Sequence, residues 1–189
     1  MAIIEMLGEI GTMAMTKRKI GFLMGSFDPM HIGHVGVIRN VISNGLADKI
    51  IVVPCFQNPW KKNTPAPFEK RIEIINIQTA WFGEKVEVSD VEGFIEAPYY
   101  SYKTLSKLKG QYPDDELFIV CGTDVAESIH LWKNYETDIK PYFGIIVIDR
   151  NDMSVSSTNI RELLKNKIEV YPYLTENALK YIKKEKLYE

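Results

Sequence analysis

The segment from Ile20 to Asn40 constrains the fold most, because it joins a buried strand, a glycine turn, two histidines and the start of a helix. The apolar run from Ile20 to Met24 ends at Gly25 and is typical of a strand buried in a parallel sheet. From Val35 onward, apolar residues recur at the spacing of one helix face. The segment therefore predicts a strand, a loop and a helix, in that order.

The loop contains His31 and His34, with Gly33 between them. Side chains three apart at a helix start share one face, and a helix N-terminus offers unpaired N–H groups and positive potential. A polyanion is therefore the natural ligand, and two imidazoles there can stabilise charge that develops on phosphate oxygens in a transition state. A metal pair or two ordinary surface histidines are the alternatives. The interpretation as a phosphate site is favoured because two of the chain's three histidines lie in this turn.

Length, charge and cysteine usage limit the organisation of the chain and its partners. The 189 residues suffice for one well-buried domain, expected over residues 17–189 after a leader, 1–16, of unknown role. A net charge of −2 argues against a general nucleic-acid binder. We find no membrane-spanning stretch and no secretory signal pattern, and Cys55 and Cys121 lack metal-ligand spacing and suit a reducing cytosol. These features predict a cytoplasmic protein with neither membrane nor nucleic acid as a partner.

Strand and helix patterns alternate along the rest of the chain. Further buried strands are predicted at Asp48–Pro54, Val86–Val88, Glu116–Cys121 and Gly144–Ile148. Helices are predicted at Glu69–Ala80, from Ser101, from Ser156 and at Thr175–Lys184. This alternation is typical of an α/β fold. We expect a Rossmann-like, doubly wound, mostly parallel sheet of five or six strands with helices on both faces.

Polar residues follow several of these strands, at the edge where ligands of open α/β sheets bind. Asn58 and Lys61 lie in a loop after the second strand, where they either reach an anionic ligand or are simply solvated. Arg71, near the start of the next helix, is expected to point towards this loop. After the fourth strand, Gly122 is followed by Asp124, whose carboxylate is well placed to bind ribose hydroxyls.

Hydroxyl residues open two of the predicted helices. Ser101 is the expected N-cap of one helix, with its hydroxyl available to a ligand. Ser157, Thr158 and Arg161 lie at the start of another. Hydroxyls and N–H groups at a helix start either cap it or bind phosphate. Together with the histidine turn, these three residues are predicted to form a second phosphate clamp.

The residues from Gly25 to His34, GSFDPMHIGH, resemble the G-x-F-D-P-x-H-x-G-H signature of the nucleotidylyltransferase superfamily. Further matching stretches follow in order: QNPWKK, APYYSYKTL, FIVCGTD followed by Trp132, SSTNIR and the tail LTENALKYIKKEKLYE. Over nearly the whole chain, this combination resembles the bacterial nicotinate mononucleotide adenylyltransferases. The chain departs from that pattern in having Met24 where a glycine is common, and a short connection from Arg150 to Ser156.

The resemblance implies adenylyl transfer from ATP to nicotinate mononucleotide, which forms nicotinate adenine dinucleotide and pyrophosphate in NAD biosynthesis. It implies Mg²⁺ bound mainly through the ATP phosphates, with no metal site in the protein itself. The catalytic residues it implies are His31, His34 and Arg161. The residues it implies for ATP are Gly25, Ser26, Phe27, His31, His34, Gly122, Asp124, Ser157, Thr158 and Arg161. Those it implies for the mononucleotide are Asn58, Lys61, Tyr100, Ser101, Trp132 and Arg150.

Several alternatives stay open at the level of sequence. Nicotinamide mononucleotide could be the main acceptor, because backbone groups that read the ring's carboxylate are invisible in sequence. Pantetheine-phosphate adenylyltransferase and glycerol phosphate cytidylyltransferase share the histidine turn but differ around Trp132 and in the tail. A non-catalytic nucleotide sensor would have no need of transition-state contacts, so the combination of His31, His34 and Arg161 argues against it. ATP and a pyridine mononucleotide are the expected substrates. The sequence leaves a homo-oligomer possible.

Overall fold

The computed structural model describes residues 16–57, 65–149 and 155–189. The strands are Lys19–Gly25 (β1), Lys49–Pro54 (β2), Val86–Val88 (β3), Glu116–Cys121 (β4) and Phe143–Val147 (β5). The α-helices are Ile32–Ser43 (α1), Phe68–Thr79 (α2), Ser101–Gln111 (α3), Thr123–Ser128 (α4), Ser157–Lys165 (α5) and Glu176–Lys184 (α6). Short 3₁₀ or π segments occupy Ala80–Lys85, Val91–Phe94, Ile129–Leu131 and Tyr135–Ile139. Within the described ranges, no helix is both long and apolar enough to cross a bilayer.

The described strands form a five-stranded sheet in the order β3-β2-β1-β4-β5, and all neighbouring strands are parallel. In the central strand, Phe22 pairs with Ile51 of β2 and with Ile119 of β4. The chain moves outward from β1 to β3 and then returns to the other side of β1, so the winding direction reverses between β1 and β4. The predicted doubly wound sheet is confirmed. Its ligand crevice is expected at the carboxyl ends of these two strands.

Helices cover both faces of the sheet. Because side chains alternate along a strand, Ile20 packs with Leu105 of α3 on one face. Leu23 packs with Ile38 of α1 and Ile75 of α2 on the other face. Apolar residues on both faces of a strand are typical of a fully buried parallel sheet. The helices therefore enclose the strands while leaving the carboxyl edge to the loops.

The C-terminal helices pack on α2. Ile74 of α2, Ile160 of α5 and Ile182 of α6 are buried in one cluster, separate from the two that cover the sheet. Beside this cluster, at the protein surface, the Lys70 ammonium lies 2.6 Å from a Glu185 carboxylate oxygen. Helix α2 thus connects the sheet to the C-terminal part of the chain.

The predicted bounds of β3 and β4 agree with the structure, those of β2 differ from it by one residue at the start, and those of β5 differ by one residue at each end. The prediction that Ser101 caps α3 is wrong. Tyr100 is the N-cap, without a side-chain capping hydrogen bond, and Ser101 is the first helical residue. The reason is a tight turn in which the Tyr100 N–H donates to the Pro98 carbonyl, 3.0 Å away, so that the chain is already turning before Ser101.

Candidate active site

The segment from the end of β1 to the first turn of α1, called here the histidine turn (residues 25–34), lies at the carboxyl edge of the central strand. Phe27 is buried and has a left-handed φ of 46°. Its ring packs over Gly25, where a Cβ would lie only 3.0 Å from the ring, so this close approach favours glycine. The same ring contacts His34 edge-on, with the ring centres 5.0 Å apart. A buried aromatic side chain therefore helps to orient His34.

His31 and His34 hold each other through a reciprocal cap at the start of α1. The Gly33 N–H donates to Nδ1 of His31, and the His31 N–H donates to Nδ1 of His34, each at 3.2 Å. An imidazole that accepts through Nδ1 carries its proton on Nε2. The two rings lie 3.8 Å apart between centres. The arrangement supplies two Nε2 donors side by side at a helix N-terminus, where negative charge is favoured.

The start of α5 lies against the histidine turn. The Ser157 hydroxyl donates to the Pro29 carbonyl at 2.9 Å. The Arg161 guanidinium donates from Nη1 to the Asp28 carbonyl at 2.7 Å, and from Nη2 to Thr158 Oγ1 at 3.2 Å. The structure therefore brings the predicted clamp residues to the histidines. Their binding of phosphate stays a prediction.

Asp28 of the turn points inward, towards the C-terminus of the chain. Asp28 is 3% exposed, and the Tyr188 hydroxyl donates to its Oδ1 at 2.7 Å. Burial is the main cause that raises the pKa of Tyr188, and the Asp28 carboxylate raises it further. The hydroxyl therefore stays protonated and can donate at neutral pH. The sequence analysis assigns Tyr188 no role, because no local pattern links residues 160 positions apart.

Arg71 connects the histidine turn to the loop that follows β2. Its guanidinium is buried and donates to three carbonyl oxygens: Ser26 at 2.7 Å, Phe56 at 3.1 Å and Ala66 at 3.2 Å. Burial lowers the pKa of Arg71, and the Asp28 carboxylate is the largest of the influences that oppose this. The predicted direction of Arg71 is confirmed, since Phe56 belongs to that loop. Its bond to the histidine turn was not evident from sequence.

Glu92 holds the same loop from the other side. Its buried carboxylate accepts from the Phe56 N–H at 2.8 Å and from the Thr104 hydroxyl at 2.9 Å. Burial raises the pKa of Glu92, while these hydrogen bonds and the charge of Arg71 oppose the rise. Both polar backbone groups of Phe56 are therefore held by buried charged side chains. The sequence analysis gives no role to Glu92, because an isolated glutamate in a loop carries no recognisable pattern.

The predicted mononucleotide residues are placed only in part. Asn58, Lys61 and Arg150 lie outside the described residues, as do most of the connection before Ser156 and the leader up to residue 15. Tyr100, Ser101 and Trp132 are described, and all three are half-buried.

Tyr100 and Trp132 belong to adjoining segments on the α3 side of the sheet. Trp132 packs against the core cluster of that face. The ammonium of its neighbour Lys133 lies 4.5 Å from the centre of the Tyr100 ring. At the adjacent end of β4, Gly122 is the buried N-cap of α4 and Asp124 is exposed in the first turn. These positions are compatible with ligand contacts at the carboxyl edge.

Known proteins resemble this chain in sequence and structure. The family model described as Cytidylyltransferase-like matches residues 22–163. A probable nicotinate-nucleotide adenylyltransferase from Flavobacterium psychrophilum is 31% identical over 185 residues, covering 87% of this chain and 95% of the relative. Another, from Fusobacterium nucleatum subsp. nucleatum, is 32% identical over 190 residues, covering 88% and 98%. A nicotinic acid mononucleotide adenylyltransferase from Plasmodium falciparum, solved with NaAD, shares the fold with a TM-score of 0.73 at 21% identity, over 90% of this chain and 97% of that one.

Proposed function

Because this chain belongs to the cytidylyltransferase-like family and, within it, to the nicotinate-nucleotide adenylyltransferases, we propose that it transfers the adenylyl group of ATP to nicotinate mononucleotide. The products are nicotinate adenine dinucleotide and pyrophosphate, in NAD biosynthesis. The observation that carries the proposal is the pair of imidazoles, 3.8 Å apart between ring centres, at the N-terminus of α1. This pair lies at the carboxyl end of β1, where the winding of the sheet reverses.

The chemistry asks the protein for positioning and charge stabilisation. A phosphate oxygen of the mononucleotide attacks the α-phosphorus of ATP, and the bond from that phosphorus to the bridging oxygen of pyrophosphate breaks in line. Negative charge then builds on the departing pyrophosphate. His31 and His34 would donate from Nε2 to the phosphate oxygens, with His34 nearer the transition state. No covalent intermediate with the protein is required.

The start of α5 would bind the β- and γ-phosphates through Ser157, Thr158 and Arg161. A guanidinium has five N–H donors, and Arg161 directs two of its groups at Asp28 and Thr158. It can therefore hold the turn and a phosphate together. On the other flank, Trp132 would stack on the pyridine ring and Tyr100 would lie beside it.

The remaining site assignments are proposed from the resemblance and from position at the carboxyl edge. The residues proposed to contact ATP there are Gly25, Ser26, Phe27, Gly122 and Asp124, the last through the ribose hydroxyls. The further residues proposed to contact the mononucleotide are Asn58, Lys61, Ser101 and Arg150.

Mg²⁺ is the proposed cofactor. Among the described residues, no three His, Cys, Asp or Glu side chains are grouped to hold a metal ion. The resemblance implies an ion that enters on the triphosphate, and Mg²⁺ in nucleotide enzymes keeps phosphate oxygens and waters as ligands. When bound, it would neutralise phosphate charge beside the histidines. The cytoplasm is the proposed compartment, because two cysteines in 189 residues do not form the dense pattern of a secreted disulfide scaffold.

Pyrophosphate release tests the proposal. The purified protein is given ATP and Mg²⁺ with nicotinate mononucleotide, nicotinamide mononucleotide, phosphopantetheine or no acceptor, each in a separate reaction. We expect release with nicotinate mononucleotide, and less with its amide. Preference for the amide would reassign the acceptor, release with phosphopantetheine alone would assign the protein to coenzyme A synthesis, and silence in all four reactions would favour a nucleotide sensor.

A further inference from the structure

The C-terminal part of the chain is linked by hydrogen bonds to backbone groups of the histidine turn. The Ile32 N–H donates to the Tyr173 carbonyl at 2.9 Å. The Met30 backbone carbonyl accepts from the Gln78 side-chain amide at 3.2 Å, and the Gln78 side-chain oxygen Oε1 accepts from the Thr175 N–H at 3.0 Å. The segment before α6 therefore contacts the turn once directly and once through a buried glutamine.

Tyr188, the penultimate residue, provides the third contact. After α6 the chain folds back on itself, with Leu187 N–H donating to the Ile182 carbonyl at 3.0 Å and Tyr188 at a φ of 66°. The Tyr188 ring packs against the cluster formed by α2, α5 and α6. Its hydroxyl donates to the Asp28 carboxylate at 2.7 Å.

We propose that Tyr188 is a positioning residue for adenylyl transfer: its hydroxyl holds Asp28 and thereby fixes the turn that aims Nε2 of His31 and His34. The inference rests on the proposed function for its kinetic consequence. Asp28 lies three residues before His31, and its carbonyl is also held by Arg161 at 2.7 Å. A buried carboxylate that loses a hydrogen bond must find water or move. Either change would shift the turn and, with it, the histidines.

Removal of the Tyr188 hydroxyl is expected to lower the rate of the chemical step. A displacement on the order of 1 Å at a catalytic group can lower a rate about 10²-fold, whereas substrate contacts spread over a large surface are less sensitive. The pKa of Tyr188, raised by burial and by Asp28, keeps the hydroxyl a donor across the pH range of the assay. Tyr188 would thus act through Asp28, without touching either substrate.

The test compares Tyr188→Phe with Glu185→Gln in the chain of 189 residues. The first variant removes one hydroxyl and leaves the ring. The matched control removes the charge of Glu185 from the Lys70–Glu185 pair, which fastens the same end of the chain to α2. We expect Tyr188→Phe to lower kcat roughly 10- to 100-fold with both KM values within about twofold of the wild type, and Glu185→Gln to leave kcat unchanged. Equal effects of the two variants on kcat would overturn the inference.

A second readout does not depend on activity. The chain has three histidines, so the imidazole resonances can be assigned by NMR, with the exposed His130 as an internal reference. Tyr188→Phe should shift or broaden the resonances of His31 and His34 and leave His130 unchanged. Unchanged resonances of His31 and His34 would overturn the inference. A wild-type protein that releases no pyrophosphate would instead overturn the proposed function, so the two failures are distinguishable.

Discussion

The two flanks of the candidate site are held in different ways. In the histidine turn, the carbonyls of Asp28, Pro29 and Met30 each accept a hydrogen bond from a side chain of α5 or α2. On the acceptor flank, the half-buried rings of Tyr100 and Trp132 are held by packing and by a nearby ammonium. Hydrogen bonds fix direction, as donors to a developing charge require. An aromatic ring that stacks on a substrate tolerates more freedom.

Arg71 and Glu92 connect the histidine turn to the loop after β2, and Glu92 connects that loop to Thr104 of α3. Arg71 bonds the carbonyls of Ser26 and Phe56, and Glu92 bonds the Phe56 N–H. Both charges are buried, and each influences the pKa of the other. Arg71 therefore connects Phe56, in the loop after β2, to Ser26 of the histidine turn. Substitutions on either flank and at this junction should have different kinetic signatures.

The largest effect is expected from His34→Ala. Loss of the Nε2 donor should lower kcat by about 100- to 1,000-fold, or about 3–4 kcal/mol of transition-state stabilisation, while ATP affinity changes much less. Steady-state kinetics and calorimetric ATP binding measure the two quantities. His34→Asn is the matched control for capping, because its amide oxygen can replace Nδ1 as an acceptor without restoring Nε2. If either variant keeps the wild-type rate, His34 is not the catalytic donor.

Arg71→Lys breaks the junction and keeps the charge. An ammonium cannot reproduce the fork that reaches three carbonyls, so buried acceptors lose their donor. We expect the free energy of unfolding to fall by about 2–3 kcal/mol, and the KM values of both substrates to rise. Denaturant unfolding and two-substrate kinetics check this. The neighbouring Lys70→Gln, which removes a surface pair, should have a much smaller effect; equal effects would contradict the role given to Arg71.

Trp132→Ala tests the acceptor flank alone. Lost stacking is worth about 0.5–1.5 kcal/mol, so the KM for the mononucleotide should rise roughly 2- to 12-fold while the KM for ATP stays unchanged. Trp81→Ala is the control, because Trp81 lies just after α2, at the opposite edge of the sheet, and is 57% exposed. A rise confined to the ATP KM would place the pyridine ring elsewhere.

The smallest effect is expected from Glu92→Gln, and it concerns the free energy of unfolding. The amide keeps the shape and one acceptor oxygen. Burial raises the pKa of Glu92 above the ordinary value of 4.5, so the native state binds this proton more tightly than the unfolded state. The contribution of Glu92 to stability therefore falls as pH rises from 4.5 through the raised pKa. The unfolding free energy of Glu92→Gln relative to wild type should increase over that interval, and a pH-independent difference would contradict the assignment.

Local patterns predicted the elements better than their ends. The run Glu116–Cys121, apolar from Leu117 onward, predicted the bounds of β4 correctly, because a largely buried strand is recognisable from its own residues. The N-cap of α3 was misassigned to Ser101, since the turn at Pro98 that precedes it outweighs the capping preference of serine. The position of Arg71 near the start of a helix predicted which loop it faces. Its three acceptors could not be predicted, because they belong to separate parts of the chain.

By itself, the sequence determined the parallel sheet, the position of the histidine turn and the family to which the chain belongs. These follow from periodicity and from motifs contained in short segments. Only the tertiary structure decided that Tyr188 meets Asp28 and that Arg71 joins two loops. Those contacts depend on how α5 and α6 pack against α2, through side chains such as Ile160 and Ile182. Packing between segments distant in the chain leaves no local pattern, because the partner of a buried polar group is chosen by three-dimensional proximity.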